Sequence, residues 1–95
     1  MAIRSFRRGA AERLFHRGDS RGVNPAHVRR LGDILAALDG PEPLRALSLP
    51  TYWLHRLQGK RAGEWSVRVS RGWRVTFRVD AEGDVWAVRY ENYHH

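Results

Sequence analysis

The chain has no cysteine. Disulfides, iron–sulfur clusters and thiolate zinc sites are therefore excluded, and the redox compartment is left open. Lysine is nearly absent as well: of seventeen basic residues only Lys60 is a lysine. No apolar run approaches the roughly twenty residues of a membrane span, and the N-terminus lacks the apolar core of a signal peptide. The expectation is a cytoplasmic protein with no membrane partner. Walker-type and dinucleotide-binding glycine patterns are missing, no serine sits in a nucleophile motif, and no metal-ligand spacing stands out, so neither a cofactor nor a metal is expected. His16 and His27 fall on helical segments and read as ordinary surface histidines. Repeats, low-complexity tracts and internal linkers are also lacking.

What remains is a 95-residue chain with four tryptophans, three tyrosines, three phenylalanines and a formal net charge of +7. That length suits one domain, residues 1–95, with one modest core that large aromatic side chains help to fill. The charge favours a polyanionic partner, nucleic acid first. Arginine binds phosphate bidentately and stacks on bases, which suits RNA. A genome rich in G+C gives the same arginine bias, so the net charge rather than the ratio carries the inference.

The last third of the chain has the clearest pattern. Trp65, Val67 and Val69 alternate with Ser66, Arg68 and Ser70, and Trp73, Val75, Phe77 and Val79 alternate with Arg74, Thr76, Arg78 and Asp80. Period-two alternation predicts antiparallel strands with one buried face and one face carrying guanidinium groups. Pairing must keep apolar residues on one side, because a slip of one residue turns the whole set to water. Around Ser70-Arg71-Gly72 this puts Arg68 opposite Arg74, with Gly72 left-handed in a three-residue loop. Like charges directly opposite each other destabilise a ladder, so the pair calls for an anion or an acid between them, phosphate being the obvious anion. The next hairpin, through Glu82-Gly83, predicts Val79 facing Trp86, Phe77 facing Val88, Val75 facing Tyr90 and Arg74 facing Glu91. It brings Asn92, Tyr93 and His94 to the arginine end of the sheet.

Upstream, Ile3 to Phe6 alternates as a first strand, and Ala10 to Arg17 reads as a helix ended by Gly18. Asn24-Pro25 starts a second helix, with asparagine as N-cap and proline in the first turn. Val28, Leu31, Ile34, Leu35 and Leu38 continue it to Asp39-Gly40-Pro41. Pro43 to Leu49 suggests a short helical turn, Tyr52 to Leu57 a second strand of ambiguous facing, and Gln58 to Gly63 a basic, glycine-bracketed loop. The fold class is α+β: two N-terminal helices packed on a mainly antiparallel sheet with a C-terminal meander.

His55, Arg68, Arg74, Tyr93 and His94, with Lys60 and Arg61 in the loop, suit phosphodiester chemistry on RNA. The substrate's 2′-hydroxyl serves as nucleophile there, and the protein supplies proton transfer and charge stabilisation without a metal. An imidazole titrating near about 6.5 works as base or acid at neutral pH. A solvated charged face with a frayed tail is the competing reading of the same pattern.

The strings Tyr52-Trp53-Leu54-His55-Arg56-Leu57-Gln58-Gly59, Gly63-Glu64-Trp65-Ser66-Val67-Arg68-Val69, Gly72-Trp73-Arg74-Val75-Thr76-Phe77 and Tyr90-Glu91-Asn92-Tyr93-His94, with Ile3-Arg4-Ser5-Phe6 at the start, resemble the HigB toxins of the RelE superfamily over nearly the whole chain. The resemblance implies a RelE-like α+β fold and a type II toxin that cuts mRNA in the ribosomal decoding site. It further implies neutralisation by a helix-turn-helix antitoxin of HigA type, with operator DNA bound only through the antitoxin complex. It assigns His55 and His94 to proton transfer or substrate orientation, Arg74 to the scissile phosphate and Tyr93 to the substrate base or the terminal constellation. Lys60, Arg61, Arg68 and Asn92 are expected at the RNA. Two positions depart from the family: Gln58 stands where lysine is frequent, and Asn92 where the ending usually has an acid. Both substitutions leave room for a toxin that binds ribosome or RNA without cutting it, and similar folds also poison protein targets such as gyrase. His95 is either native or the start of a purification tag.

Overall fold

The computed structural model describes residues 2–7 and 9–92. Helix α1 covers Ala10–Arg17 and stops at Gly18, whose φ of 65° lets its N–H return to the Leu14 carbonyl at 3.0 Å. Only glycine takes that left-handed cap without steric cost. The Asn24 side chain accepts from the Ala26 N–H at 2.9 Å, and Pro25 opens a 3₁₀ turn leading into α2, Val28–Leu38. Leu31, Ile34, Leu35 and Leu38, one stripe of α2, are all buried. Behind α2, Asp39 accepts from the backbone N–H groups of Ala2 and Ile3 at 3.1 and 3.3 Å, tying the N-terminal segment to the helix end. The expected helical turn after Pro43 is present as α3, Pro43–Ala46.

Four antiparallel strands follow in spatial order β1-β2-β3-β4: His55–Arg56, Trp65–Ser70, Trp73–Val79 and Val85–Asn92. One face carries Val67, Val75 and Phe77 into the core with α2. Arg68 pairs with Arg74, Val75 with Tyr90 and Arg74 with Glu91, the register that alternation requires. Gly72 is left-handed at φ 82° in the β2–β3 turn.

The β2–β3 loop has two residues, Arg71-Gly72, rather than the expected three: Ser70 pairs with Trp73, and a register shift between Arg68 and Ser70 takes up the difference. Three further expectations need correction. Val79 pairs with Val85, not Trp86, because β4 carries a bulge at Ala87, which has φ 57°. Val85 and Val88 are three residues apart and would face opposite sides of a regular strand; the bulge resets the phase so that both are fully buried. Trp86 turns outward in consequence, and its Nε1 donates to Asp80 at 2.8 Å. The predicted strand at Ile3 to Phe6 is reduced to two parallel bridges, Ile3 with Val85 and Phe6 with Val88, since the bulge interrupts the edge it would pair with. The predicted strand Tyr52–Leu57 shrinks to His55–Arg56, because Pro50–Tyr52 form a 3₁₀ turn and Trp53 is left-handed at φ 48°. Proline lacks the N–H that a ladder needs.

Candidate functional site

Cross-strand partners project from the same face of a sheet, so the register lays out the polar face. His55 pairs with Ser66 and Ser66 with Thr76; Arg68 pairs with Arg74 and Arg74 with Glu91. Two adjacent rows result, one of imidazole and hydroxyls and one of guanidiniums and a carboxylate.

His55 is exposed, and its Nδ1 lies 2.9 Å from the Trp53 carbonyl. A carbonyl only accepts, so Nδ1 carries the proton, and the neutral ring presents an unprotonated Nε2. The left-handed backbone of Trp53 sits one turn before β1, where its carbonyl meets that ring. Arg68, diagonal to His55, places its guanidinium 4.9 Å from the centre of the Trp53 ring. Arg30 of α2 fixes the backbone beneath both, donating to the Arg68 carbonyl at 2.8 Å and to the Thr51 carbonyl at 2.6 Å.

The loop after β1 closes over the other end of these rows. Gly59–Arg61 form a 3₁₀ turn, and the Arg61 guanidinium contacts Glu64 at 2.9 and 3.0 Å and Glu91 at 2.7 and 2.9 Å. Thr76 donates its hydroxyl to Glu91 at 2.7 Å and accepts from Arg61 at 3.2 Å. Hydrogen bonds from Arg61 and Thr76 hold the Glu91 carboxyl down at about 2, against the opposing effect of burial. Arg61 likewise lowers Glu64, with Arg7 adding a weaker contact at 3.7 Å. The same two carboxylates raise the Arg61 guanidinium further above its ordinary range. Gly63 lies under Arg78, whose Nη1 would be 2.7 Å from an added Cβ, so glycine is what lets that arginine cross the loop.

Lys60 is exposed on this turn and borders an open groove of about 840 Å³ that Arg7, Arg13, Arg78, Arg89 and Asn92 also line. Cations thus dominate a groove that continues from the sheet face around the β4 edge. His55, Arg68 and Arg74 lie outside it; His55 stands on the open surface alongside, whereas Arg74 is half-buried, its Nε and Nη1 shut off from solvent.

The structure therefore brings His55, Arg68 and Arg74 onto one face and sets Lys60 and Asn92 at the adjoining groove. Tyr93 and His94 lie outside the described residues. Arg61 differs from the expectation: its guanidinium is engaged by two carboxylates and a hydroxyl, so it braces the loop against β4. The acid expected between Arg68 and Arg74 is not placed there: Glu91 lies beyond Arg74 on β4, and its oxygens are taken up by Arg61 and Thr76. His27, expected at the surface, is 6% exposed, with Nδ1 2.8 Å from the Tyr90 hydroxyl and Nε2 2.7 Å from the Ser70 hydroxyl. Its partly buried neighbours Trp73 and Tyr90 stack with ring centroids 4.6 Å apart, and both meet the histidine edge-on, covering it. Sequence reasoning passed over Glu64 and Thr76; the three-residue spacing of Arg61 and Glu64 was the one signal for the first.

Among the described residues no three histidines or acids gather into a metal-binding group, and no helix is long and apolar enough to cross a membrane.

Residues 4–94 match the family model described as the RelE-like toxin of type II toxin-antitoxin system HigB. The chain is 38% identical over 92 residues to Endoribonuclease HigB of Proteus vulgaris, an alignment covering 97% of this chain and 99% of that protein. In fold it is similar to a YoeB/ParE toxin from Agrobacterium tumefaciens, with a TM-score of 0.59 at 19% identity over 96% of this chain and 99% of that one. It is similar also to the YoeB dimer from Staphylococcus aureus, with a TM-score of 0.62 at 14% identity over 100% and 98% of the two chains. With the α+β architecture, the arginine-bearing sheet face and these matches together, the chain belongs to the HigB-like family of RelE-like toxins of type II toxin-antitoxin systems.

Proposed function

We propose that this toxin is an endoribonuclease that cuts mRNA on the ribosome, with the substrate's own 2′-hydroxyl as nucleophile and no metal. One observation carries the reading: an exposed histidine whose Nδ1–H is spent on a backbone carbonyl, leaving Nε2 open beside a row of two arginines. The identity to a named endoribonuclease supports it.

In the proposed reaction His55 Nε2 takes the 2′-hydroxyl proton, and the oxygen attacks the adjacent phosphorus. The O2′–P bond forms, the P–O5′ bond breaks, and the leaving 5′-oxygen takes a proton from the acid, a role we assign to His94. The products are a 2′,3′-cyclic phosphate and a 5′-hydroxyl. Arg74 binds the non-bridging oxygens as charge builds on them. Tyr93 contacts the substrate base. Arg68, Lys60 and Asn92 hold the strand on either side, and Arg61 acts as a positioning residue for the loop that presents Lys60.

A shallow, open groove beside an exposed histidine grips RNA weakly in any one geometry. The ribosome supplies the missing orientation by clamping the message. A HigA-type antitoxin, presenting acidic residues to the basic face, holds the toxin inactive.

The test is a reconstituted translation reaction on a defined mRNA, with cut sites and end groups mapped with and without ribosomes. Cleavage confined to translated message and leaving 5′-hydroxyl ends is expected. Arg74→Ala lowers its rate on the order of a hundredfold to a thousandfold, the cost of one preorganised donor to a developing oxyanion. Equal cutting of naked RNA would refute the ribosomal step. Inhibition of translation with intact mRNA would favour binding without cleavage, which the neutral Gln58 and Asn92 side chains permit.

A further inference from the structure

Trp53 is 59% exposed, yet it occupies a left-handed backbone conformation, φ 48°, that a bulky side chain rarely takes. Two facts account for the backbone. The residue follows the Pro50–Tyr52 turn, its N–H reaching the Pro50 carbonyl at 3.1 Å, and its own carbonyl receives the His55 ring. Glycine would do both without strain. Neither fact accounts for an indole, which contributes nothing to the core from this position.

The indole does have a charged neighbour. Arg68 stacks its guanidinium 4.9 Å from the ring centre, and the carbonyls of Thr51 and Arg68 are both pinned by Arg30. Trp53, Arg68, Arg71, Ser70 and Thr51 thus line a shallow open cavity of about 420 Å³ at the end of the row that runs through Arg74. A large exposed aromatic surface bordered by cations is the arrangement that takes a nucleobase by stacking and the neighbouring phosphate by charge.

We infer that Trp53 and Arg68 form a nucleotide subsite next to the scissile position, in which a base of single-stranded RNA stacks on the exposed indole while Arg68 and Arg71 take its flanking phosphates. The inference deepens the endoribonuclease reading and rests on the same face being the RNA face. Purines, with the larger π-surface, are preferred there. Stacking tolerates any base, so the preference is graded rather than absolute. The strained backbone serves two ends at once: it turns the carbonyl to His55 and throws the side chain out to solvent.

Binding is measured without ribosomes, on the intact protein, with fluorescein-labelled hexamers of 2′-O-methyladenylate and 2′-O-methyluridylate, which cannot be cut. Fluorescence anisotropy should show the adenylate binding more tightly, and intrinsic tryptophan emission should fall as it binds. Trp53→Gly should weaken adenylate binding roughly 5- to 100-fold, the range that loss of one base–aromatic stack produces, and abolish most of the quench. Its Tm should equal or exceed that of the parent, since strain is relieved. Trp53→Phe should keep most of the affinity. Because no cutting is read, failure of ribosome-dependent cleavage leaves this result intact.

Two sources of RNA are then separated on ribosomes. If the base belongs to the message, Trp53→Gly changes the nucleotide preference beside the cut and leaves affinity for vacant ribosomes unaltered. If it belongs to ribosomal RNA, vacant-ribosome affinity falls and the preference persists. Parental hexamer affinity in Trp53→Gly would overturn the subsite, and weakened neutralisation by the antitoxin alongside it would assign the indole to the protein partner instead. A lowered Tm with equal loss of binding in Trp53→Phe would mark the ring as structural and overturn it too.

Discussion

Two histidines of this toxin have the same chemical equipment and opposite fates. His27 is buried, with one ring nitrogen against the Tyr90 hydroxyl and the other against Ser70, so both of its hydrogen-bonding positions are used. His55 is exposed, with Nδ1 given to the Trp53 carbonyl and Nε2 without a protein partner among the described residues. A fully bonded imidazole holds elements together, here the start of α2, the β2–β3 turn and β4. A half-bonded one has its tautomer fixed and its reactive nitrogen left for a substrate. In the proposed mechanism, what separates the structural group from the chemical one is the count of satisfied atoms.

The largest effects should come from breaking the open member of the pair. His55→Gln removes the proposed base while keeping a polar side chain, so single-turnover cleavage on programmed ribosomes should fall by roughly a hundredfold or more, with Tm within about 2 °C of the parent, since exposed substitutions rarely move stability far. A rate within a few fold of the parent would make His55 another surface histidine. The closed member should behave in reverse. His27→Ala takes the imidazole from the Ser70 and Tyr90 hydroxyls, leaving Tyr90 with the Asn24 N–H at 3.3 Å, and opens a cavity beside a stacked aromatic pair, so urea denaturation should report a loss of about 2–3 kcal/mol. Cleavage at a temperature where the variant stays folded should remain within a few fold. Should His27→Ala cost activity and no stability, the two roles would have to be exchanged.

The fold was far more legible than this distinction. Alternation in β2 and β3 was enough to pair Arg68 with Arg74, because a one-residue slip would have carried Val67, Val75 and Phe77 into water. The helix limits at Gly18 and at Asn24-Pro25 followed from local cap chemistry. The bulge at Ala87 was not legible: alanine carries no mark of a positive φ, and the need for it arises only when Val85 and Val88 must both meet the core. Trp53 escaped for the same reason. As for the candidate site, residue type nominated His55 and Arg74, which the register puts on one sheet face, but type alone gave Arg61 a role on RNA. Its partners, Glu64 three residues on and Glu91 at the far end of the chain, converge only in the folded sheet. The same limit hid His27, whose burial depends on Trp73 and Tyr90 meeting across β3 and β4.

The smallest effect tests whether closure is what defines the structural groups, through the network that binds Arg61. The Glu91 carboxyl lies at about 2 in the folded chain and near 4.5 when free. A carboxyl depressed in this way stabilises the fold fully above its free value, and that stabilisation drains away as pH falls from 4.5 toward 2. Arg61 stays charged throughout that window, so the loss follows the carboxylates. Glu64, lowered by the same guanidinium, adds to it. Urea denaturation at pH 7 and at pH 3 should therefore differ, with Glu91 supplying on the order of 1–2 kcal/mol of the drop once partial solvent screening is allowed for. Glu91→Gln keeps the shape and a hydrogen-bonding oxygen but has no charge to lose. It should be less stable than the parent at pH 7 and fall less steeply toward pH 3, while ribosomal cleavage at pH 7 stays within a few fold. Parallel stability losses in the parent and the variant would show that Arg61 is not held by Glu91 in solution, and the guanidinium would return to the set of groups open to RNA.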